Sequence, residues 1–182
     1  MSVLVFADSN NGAIAKSAQE AIHYGSKIGE TTVITYGDVD DSALAALGSY
    51  GASKVLINKT ITEFDGQKLS KLVRAAAESA EVIVFAMDFS GKSISSRVAA
   101  GLNAGMVSGA LSLPDTSNGF IIKKAVFSGK AFANCKINSA KKVIALMPNS
   151  IQVETSEAIA SVEEFNMDLG NSTLTVKEFK AK

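Results

Sequence analysis

The stretch 81–105, EVIVFAMDFSGKSISSRVAAGLNAG, constrains this chain more than any other. Val82 to Phe85 is an unbroken apolar run rich in β-branched residues, and a run without polar alternation belongs to a strand buried on both faces. Asp88 to Ser90 is a polar break, and a helix is expected from Gly91 onward. A strand that must be covered on both sides and leads directly into a helix is the building unit of a parallel sheet. The loop has a second reading, because Ala86-x-x-x-x-Gly91-Lys92-Ser93 fits the permissive form of a phosphate-cradling loop.

The same kind of run recurs at Ser2 to Ala7 (SVLVFA), Thr31 to Tyr36 (TTVITY), Lys54 to Asn58 (KVLIN) and Lys142 to Met147 (KVIALM). Between these runs the apolar residues change to helical spacing. A first helix is expected from Ala13, with Ile14, Ala18, Ala21, Ile22, Gly25 and Ile28 on one face. A short second helix runs from Asp41 to about Tyr50, capped by Asp40 or Asp41 and ended near Gly48 or Gly51. Phe64, Asp65 and Gly66 lead into a third, with Leu69, Leu72, Val73, Ala76, Ala77 and Ala80 as its stripe. Four alternations of strand and helix predict an α/β fold, a parallel sheet with right-handed crossovers and helices on both faces.

After Gly105 the pattern shifts. Met106 to Leu113 is apolar, Pro114, Asp115, Ser117, Asn118 and Gly119 form a turn cluster, and Phe120 to Phe127 with Ala131 to Ile137 read as paired strands. Antiparallel hairpin additions are therefore expected in the C-terminal third. Beyond Gln152, Ile159, Val162 and Phe165, then Leu174, Val176 and Phe179, are candidates for edge strands. No linker, repeat or low-complexity tract divides the chain, so 1–182 reads as a single domain.

The 18 basic and 18 acidic residues cancel without forming a block of one sign, which argues against a nucleic-acid or anionic-membrane partner. Nothing approaches the ~20 consecutive apolar residues that span a bilayer, and MSVLVFADSN has no export signal, so a soluble protein without membrane insertion is expected. Cys135 is the only cysteine and His23 the only histidine, leaving no Cys/His cluster for a metal. His23, inside the first helix, is expected as a surface or boundary residue and not as a ligand, and Cys135 as a small core residue of the hairpin. Glu163 and Glu164 project to opposite sides if they lie in a strand, so they make no acid/base pair. No catalytic constellation can be assembled.

The phosphate-loop reading fares poorly on its own residues. Ala86 stands where the first glycine is needed, and Asp88 would bring a like charge into the phosphate nest. The strand KVIALM ends in Pro148 and supplies no second magnesium ligand. These residues weigh against nucleotide hydrolysis.

From Phe89 onward FSGKSISSRVAAGLNAGMVSGALSL resembles a segment of electron transfer flavoprotein α subunits. There the fourth strand is followed by a Thr-Phe-Gly-Lys-type loop, then Arg-Val-Ala-Ala, then a turn into an isoleucine-serine strand. Here Phe89 is followed by Ser90-Gly91-Lys92, one residue longer. MSVLVFAD, GASKVLI and AKKVIALMPNSI resemble the family's opening strand, its approach to the third strand and its last strand before the flavin domain. The resemblance covers nearly the whole chain in order.

The resemblance implies a fold like that of the adenine nucleotide α hydrolases and membership of a heterodimer with an electron transfer flavoprotein β subunit. That heterodimer carries FAD and passes electrons from acyl-CoA-type dehydrogenases, as in fatty acid β-oxidation, to a membrane quinone oxidoreductase. The chain stops at Lys182 without the segments that grip most of the flavin, so the resemblance implies an N-terminal scaffold and interface domain in the bacterial cytoplasm. It implies no catalysis by the chain itself and no cofactor on this chain alone. In an open α/β sheet ligands bind where strand order reverses, in the family between the first and fourth strands. The cofactor-binding candidates are then Ala7, Asp8 and Ser9 on one side and Asp88, Ser90, Gly91 and Lys92 on the other. Arg97, which matches the family's Arg-Val-Ala-Ala, contacts a phosphate or the partner subunit, or else forms an ion pair within the domain. Gly101 and Gly105 are expected at close-packing positions. Two other readings stay open: a stand-alone adenine-nucleotide-binding domain of the same superfamily, and a homodimer built on Met106 to Leu113.

Overall fold

A computed structural model of the chain describes residues 1–10, 12–175 and 177–178. In chain order the elements are β1 (Ser2–Phe6), β2 (Ser9–Asn10), β3 (Ala13–Ile14), α1 (Lys16–Ser26), β4 (Glu30–Tyr36) and α2 (Asp41–Ala45), which tightens into a 3-10 turn, Ala46–Tyr50. There follow β5 (Ala52–Asn58), α3 (Gly66–Ala76), β6 (Val82–Ala86), α4 (Phe89–Gly101), β7 (Gly105–Ala110), β8 (Phe120–Val126), β9 (Ala131–Ile137), β10 (Lys142–Leu146) and β11 (Ser161–Glu164).

Nine strands form one sheet in the order β11-β5-β4-β1-β6-β10-β7-β8-β9. The pairs from β11 to β7 are parallel, and β8 joins β7 and β9 antiparallel. Strand order reverses between β1 and β6. Successive side chains of each central strand enter two different cores. Val3, Val5, Val82, Val84 and Ile144 pack with Ala18, Ile22, Tyr24 and Leu44 on one face. Leu4, Phe6, Ile83, Phe85 and Val143 pack with Leu69, Leu72, Val73, Ile94 and Val98 on the other. With both faces covered, the positions after the first residue of β1, β6 and β10 are all apolar, which is why they read as solid apolar runs.

Several boundaries differ from the sequence expectation. Helix α1 begins at Lys16 because Ala13 and Ile14 turn back, around Gly12 at φ 76°, to pair with Ser9 and Asn10. Helix α4 begins at Phe89, two residues before Gly91, because Asp88 already serves as its cap. Strand β7 lies between β10 and β8, pairing along its length with β10 and with β8 at Ala110, so most of Met106 to Leu113 is an inner part of the sheet and not an edge strand. His23 is buried rather than at a surface, in a recess it shares with Tyr50 and with Glu154 of the segment after β10. Leu174 is exposed and outside any strand; Val176 and Phe179 lie outside the described residues.

Two straps fasten the periphery. Between β10 and β11 the chain crosses α1 and the 3-10 turn, held by Ser156 N–H to Ser49 O (2.9 Å), Ala160 N–H to Ala45 O (2.9 Å) and a Lys27–Glu154 ion pair (3.1 Å). Gly48 lets it pass, since a Cβ there would stand 2.4 Å from the Ala160 nitrogen. After β11 the chain lies along α3, where Lys71 Nζ donates to Leu169 O (2.8 Å) and Gln67 pairs with Thr173. Among the described residues no helix is long and apolar enough to cross a membrane.

Candidate functional site

The reversal of strand order places the carboxyl ends of β1 and β6 side by side, with Phe6 in register with Phe85. The two strands leave the sheet side by side, and the next polar residues, Asp8 and Asp88, both lie near the Tyr36 hydroxyl at the point of reversal. Ala7 is buried and continues the ladder, its N–H donating to Ile34 O (3.0 Å). Asp8 Oδ1 accepts from the Tyr36 hydroxyl (2.7 Å) and its Oδ2 from Ser90 Oγ (2.6 Å). The Ser9 hydroxyl donates to the Tyr36 carbonyl. Asp88 Oδ1 accepts the Gly91 N–H (2.8 Å) and its Oδ2 accepts from Ser17 Oγ (2.7 Å).

Both carboxylates therefore use both oxygens on donors from the protein itself. Burial raises the Tyr36 hydroxyl well above its ordinary pKa, and the bond to Asp8 and the charges of Asp8 and Asp88 add to the effect. The first turn of α4, whose free amides and dipole would attract an external anion, is already capped by Asp88. Gly91 is needed for a different reason from a phosphate cradle, because a Cβ at this position would lie 1.9 Å from the Ala86 carbonyl oxygen. A crevice lined by engaged carboxylates does not fit a phosphate, which needs free donors and no competing negative charge.

The structure thus brings together Ala7, Asp8, Ser9, Asp88, Ser90 and Gly91, and it leaves Lys92 and Arg97 apart. Lys92 is exposed, and its ammonium has no ion pair or hydrogen bond among the described residues. Arg97 is eight residues beyond Phe89, about 12 Å along the helix. The buried residues around it are Ile94, Ser95, Val98 and Ala99, while Ser96, Arg97 and Ala100 face outward. Among the described residues Arg97 has no carboxylate partner. Gly101 and Gly105 do sit at close approaches: a Cβ would come within 2.5 Å of Arg74 Nε at the first and 2.8 Å of Ile137 Cγ2 at the second.

Sequence reasoning missed Ser17, Tyr36 and Glu20. Ser17 and Tyr36 each stand at the sheet's carboxyl edge, in the first turn of α1 and at the end of β4, and that placement was the available signal. Glu20 is a buried carboxylate that accepts three consecutive backbone N–H groups, from Asn149 (2.9 Å), Ser150 (2.9 Å) and Ile151 (3.3 Å). It seals the floor of a cleft of about 290 Å³ between α1 and the segment after β10. About one turn further along α1, His23 lines a second recess with Lys27, Tyr50 and Glu154. Burial lowers its pKa, as does the Lys27 charge, against the opposing pull of Glu154 and a bond to the Tyr50 backbone. Among the described residues no group of three or more His, Cys, Asp or Glu side chains is placed to hold a metal.

Comparison with known proteins adds an independent line. The family model of the electron transfer flavoprotein domain matches residues 3–169. The chain is similar to electron transfer flavoprotein subunit alpha of Bacillus subtilis, at 26% identity over 190 residues, which cover 99% of this chain and 58% of that protein. To the subunit alpha of Pseudomonas aeruginosa it is 27% identical over 187 residues, covering 98% of this chain and 59% of the relative. To that of Syntrophomonas wolfei it is 22% identical over 163 residues, covering 87% and 51%. The chain thus spans between half and three fifths of the length of these curated relatives.

Proposed function

The chain belongs to the electron transfer flavoprotein family, and on that premise we propose that residues 1–182 act as a single scaffold and subunit-interface domain of an electron transfer flavoprotein α subunit. The observation that carries this reading is the extent of the match, which runs from Val3 to Leu169 and so takes in all nine strands of the sheet in order. In this reading the domain pairs with a β subunit in the bacterial cytoplasm. The complete heterodimer carries FAD and moves electrons from acyl-CoA-type dehydrogenases to a quinone oxidoreductase.

This domain contributes no catalytic step of its own. The crevice residues do not fit the pyrophosphate of a flavin, because Asp8 and Asp88 present negative charge and Asp88 already takes the Gly91 amide in the first turn of α4. Its work is to hold a rigid sheet edge against which the partner subunit is placed. The same crowding disfavours a stand-alone adenine-nucleotide site.

The test is co-expression with a β subunit from the same source. The chain is expected to be colourless when purified alone, to co-purify with the β subunit, and to give no heat on titration with AMP or ATP. Stoichiometric FAD on the isolated chain would overturn the reading. Tight AMP or ATP binding that Lys92→Ala abolishes would favour the nucleotide-binding alternative instead.

A further inference from the structure

The two edges of the sheet are built differently. Strand β11 is four residues long, and its Glu163 and Glu164 pair with Lys54 (2.9 Å) and Lys59 (3.6 Å), so this edge is short and guarded by charge. Strand β9 is seven residues long, is paired only on its β8 side, and contains no acidic residue. Its outward backbone groups have no partner strand among the described residues.

The β8–β9 hairpin is also unlike the rest of the chain in charge. Between Asp115 and Glu154 there is no acidic residue, and the hairpin itself holds Lys123, Lys124, Lys130 and Lys136 in a protein whose total charge is zero. Two phenylalanines lie among these lysines. Phe132 is 62% exposed, with Lys123 Nζ 4.4 Å above its ring. Phe127 is 79% exposed at the hairpin tip, in a left-handed conformation (φ 51°) followed by Ser128 at 55° and Gly129 at 86°.

A bulky side chain at positive φ is strained, and tips of this kind ordinarily use Asn or Gly. No packing within the domain repays that strain, since Phe127 points into solvent. The hairpin is also far from the crevice: β9 is four strand spacings from β6, about 19 Å.

We propose that the β8–β9 hairpin is a docking arm for an extended, acidic polypeptide segment that adds to the free edge of β9, with its carboxylates on Lys123, Lys130 and Lys136 and an apolar recess around Phe127. An open row of backbone donors and acceptors favours a polypeptide, because only another main chain answers it in register. Four lysines fall short of the charge that holds a duplex nucleic acid at physiological salt. The arm stands on its own geometry and does not depend on the subunit reading above.

The test measures affinity of the whole chain for a random copolymer of glutamate and tyrosine, with poly-glutamate, phosphatidylglycerol vesicles and a DNA duplex as separate arms. The wild type is expected to bind the copolymer in a salt-sensitive manner. Replacing Lys123, Lys130 and Lys136 together by Gln should weaken binding about tenfold. A control pair on the helices, Lys16→Gln with Lys92→Gln, should have little effect.

Phe127→Asn separates docking from structure: it should weaken copolymer binding about fivefold or more while raising the melting temperature, because Asn tolerates the left-handed tip. The proposal is overturned if Phe127→Asn lowers the melting temperature or leaves copolymer affinity unchanged. It is equally overturned if the control pair weakens binding as much as the hairpin lysines do, or if vesicles or DNA bind more tightly than the copolymer. Sedimentation showing hairpin-dependent self-association would replace the acidic segment by a second copy, and so also overturn it.

Discussion

Gly91 has no room for a side chain, and the obstacle is the Ala86 carbonyl oxygen at 1.9 Å from where a Cβ would stand, a backbone atom that cannot swing aside. Gly91→Ala should therefore destabilise the fold by about 2 kcal/mol or more, seen as a lower urea midpoint. The residue was recognisable in the sequence as special, but its reason was not, because nothing in the local pattern says that the first turn of α4 folds back onto the end of β6. His23 offers a pH readout. Its pKa in the folded protein is lowered from 6.5, chiefly by burial, so protonation favours the unfolded chain. The stability due to the neutral imidazole is fully present above pH 6.5 and declines as pH falls from there through the lowered folded value. His23→Gln should flatten that slope in denaturation measured between neutral and mildly acidic pH. The sequence could not place His23 in the interior, because the groups around it, Tyr50 and Glu154, come from two separate stretches downstream.

Helix α1 is tied to the segment after β10 by Glu20, whose two oxygens take up three consecutive amides of that segment. Glu20→Ala is expected to cost about 2–3 kcal/mol and to speed amide exchange at Asn149, Ser150 and Ile151, while Glu20→Gln, which keeps only part of the acceptor capacity, should fall between. The central strands were the most readable elements, since burial on two faces leaves a chemical trace of four to six apolar residues in a row. Helix starts were less readable. The N-terminus of α4 was marked by Asp88 three residues before Gly91, an ordinary capping arrangement that the competing phosphate-loop reading obscured. That of α1 was hidden by the β2–β3 reversal, two short strands with no periodicity of their own. Charge was misread in a similar way: a zero total concealed the lysine-only hairpin, because opposite charges elsewhere in the chain cancel it.

At the level of the whole molecule, the alternation of strands and helices foretold a parallel sheet, and the reversal between β1 and β6 was expected from the family resemblance. Alternation alone does not say where a late strand inserts, and β10 takes a place that no local pattern specifies. It lies between β6 and β7, so it alone joins the β7–β8–β9 ribbon to the rest of the sheet. Ile144 at its centre is fully buried, and Ile144→Ala should cost about 3 kcal/mol in equilibrium unfolding. The same substitution is expected to slow refolding in stopped-flow measurements, because pairing across such long separations limits the rate. This placement has a temporal consequence for a chain made from its N-terminus. A nascent chain that has reached Ile137 holds β6 and the hairpin as two unjoined pieces, each with a bare strand edge, and they become one body only when Leu146 has left the ribosome. Between those two residues both edges are open to mispairing with a neighbouring chain.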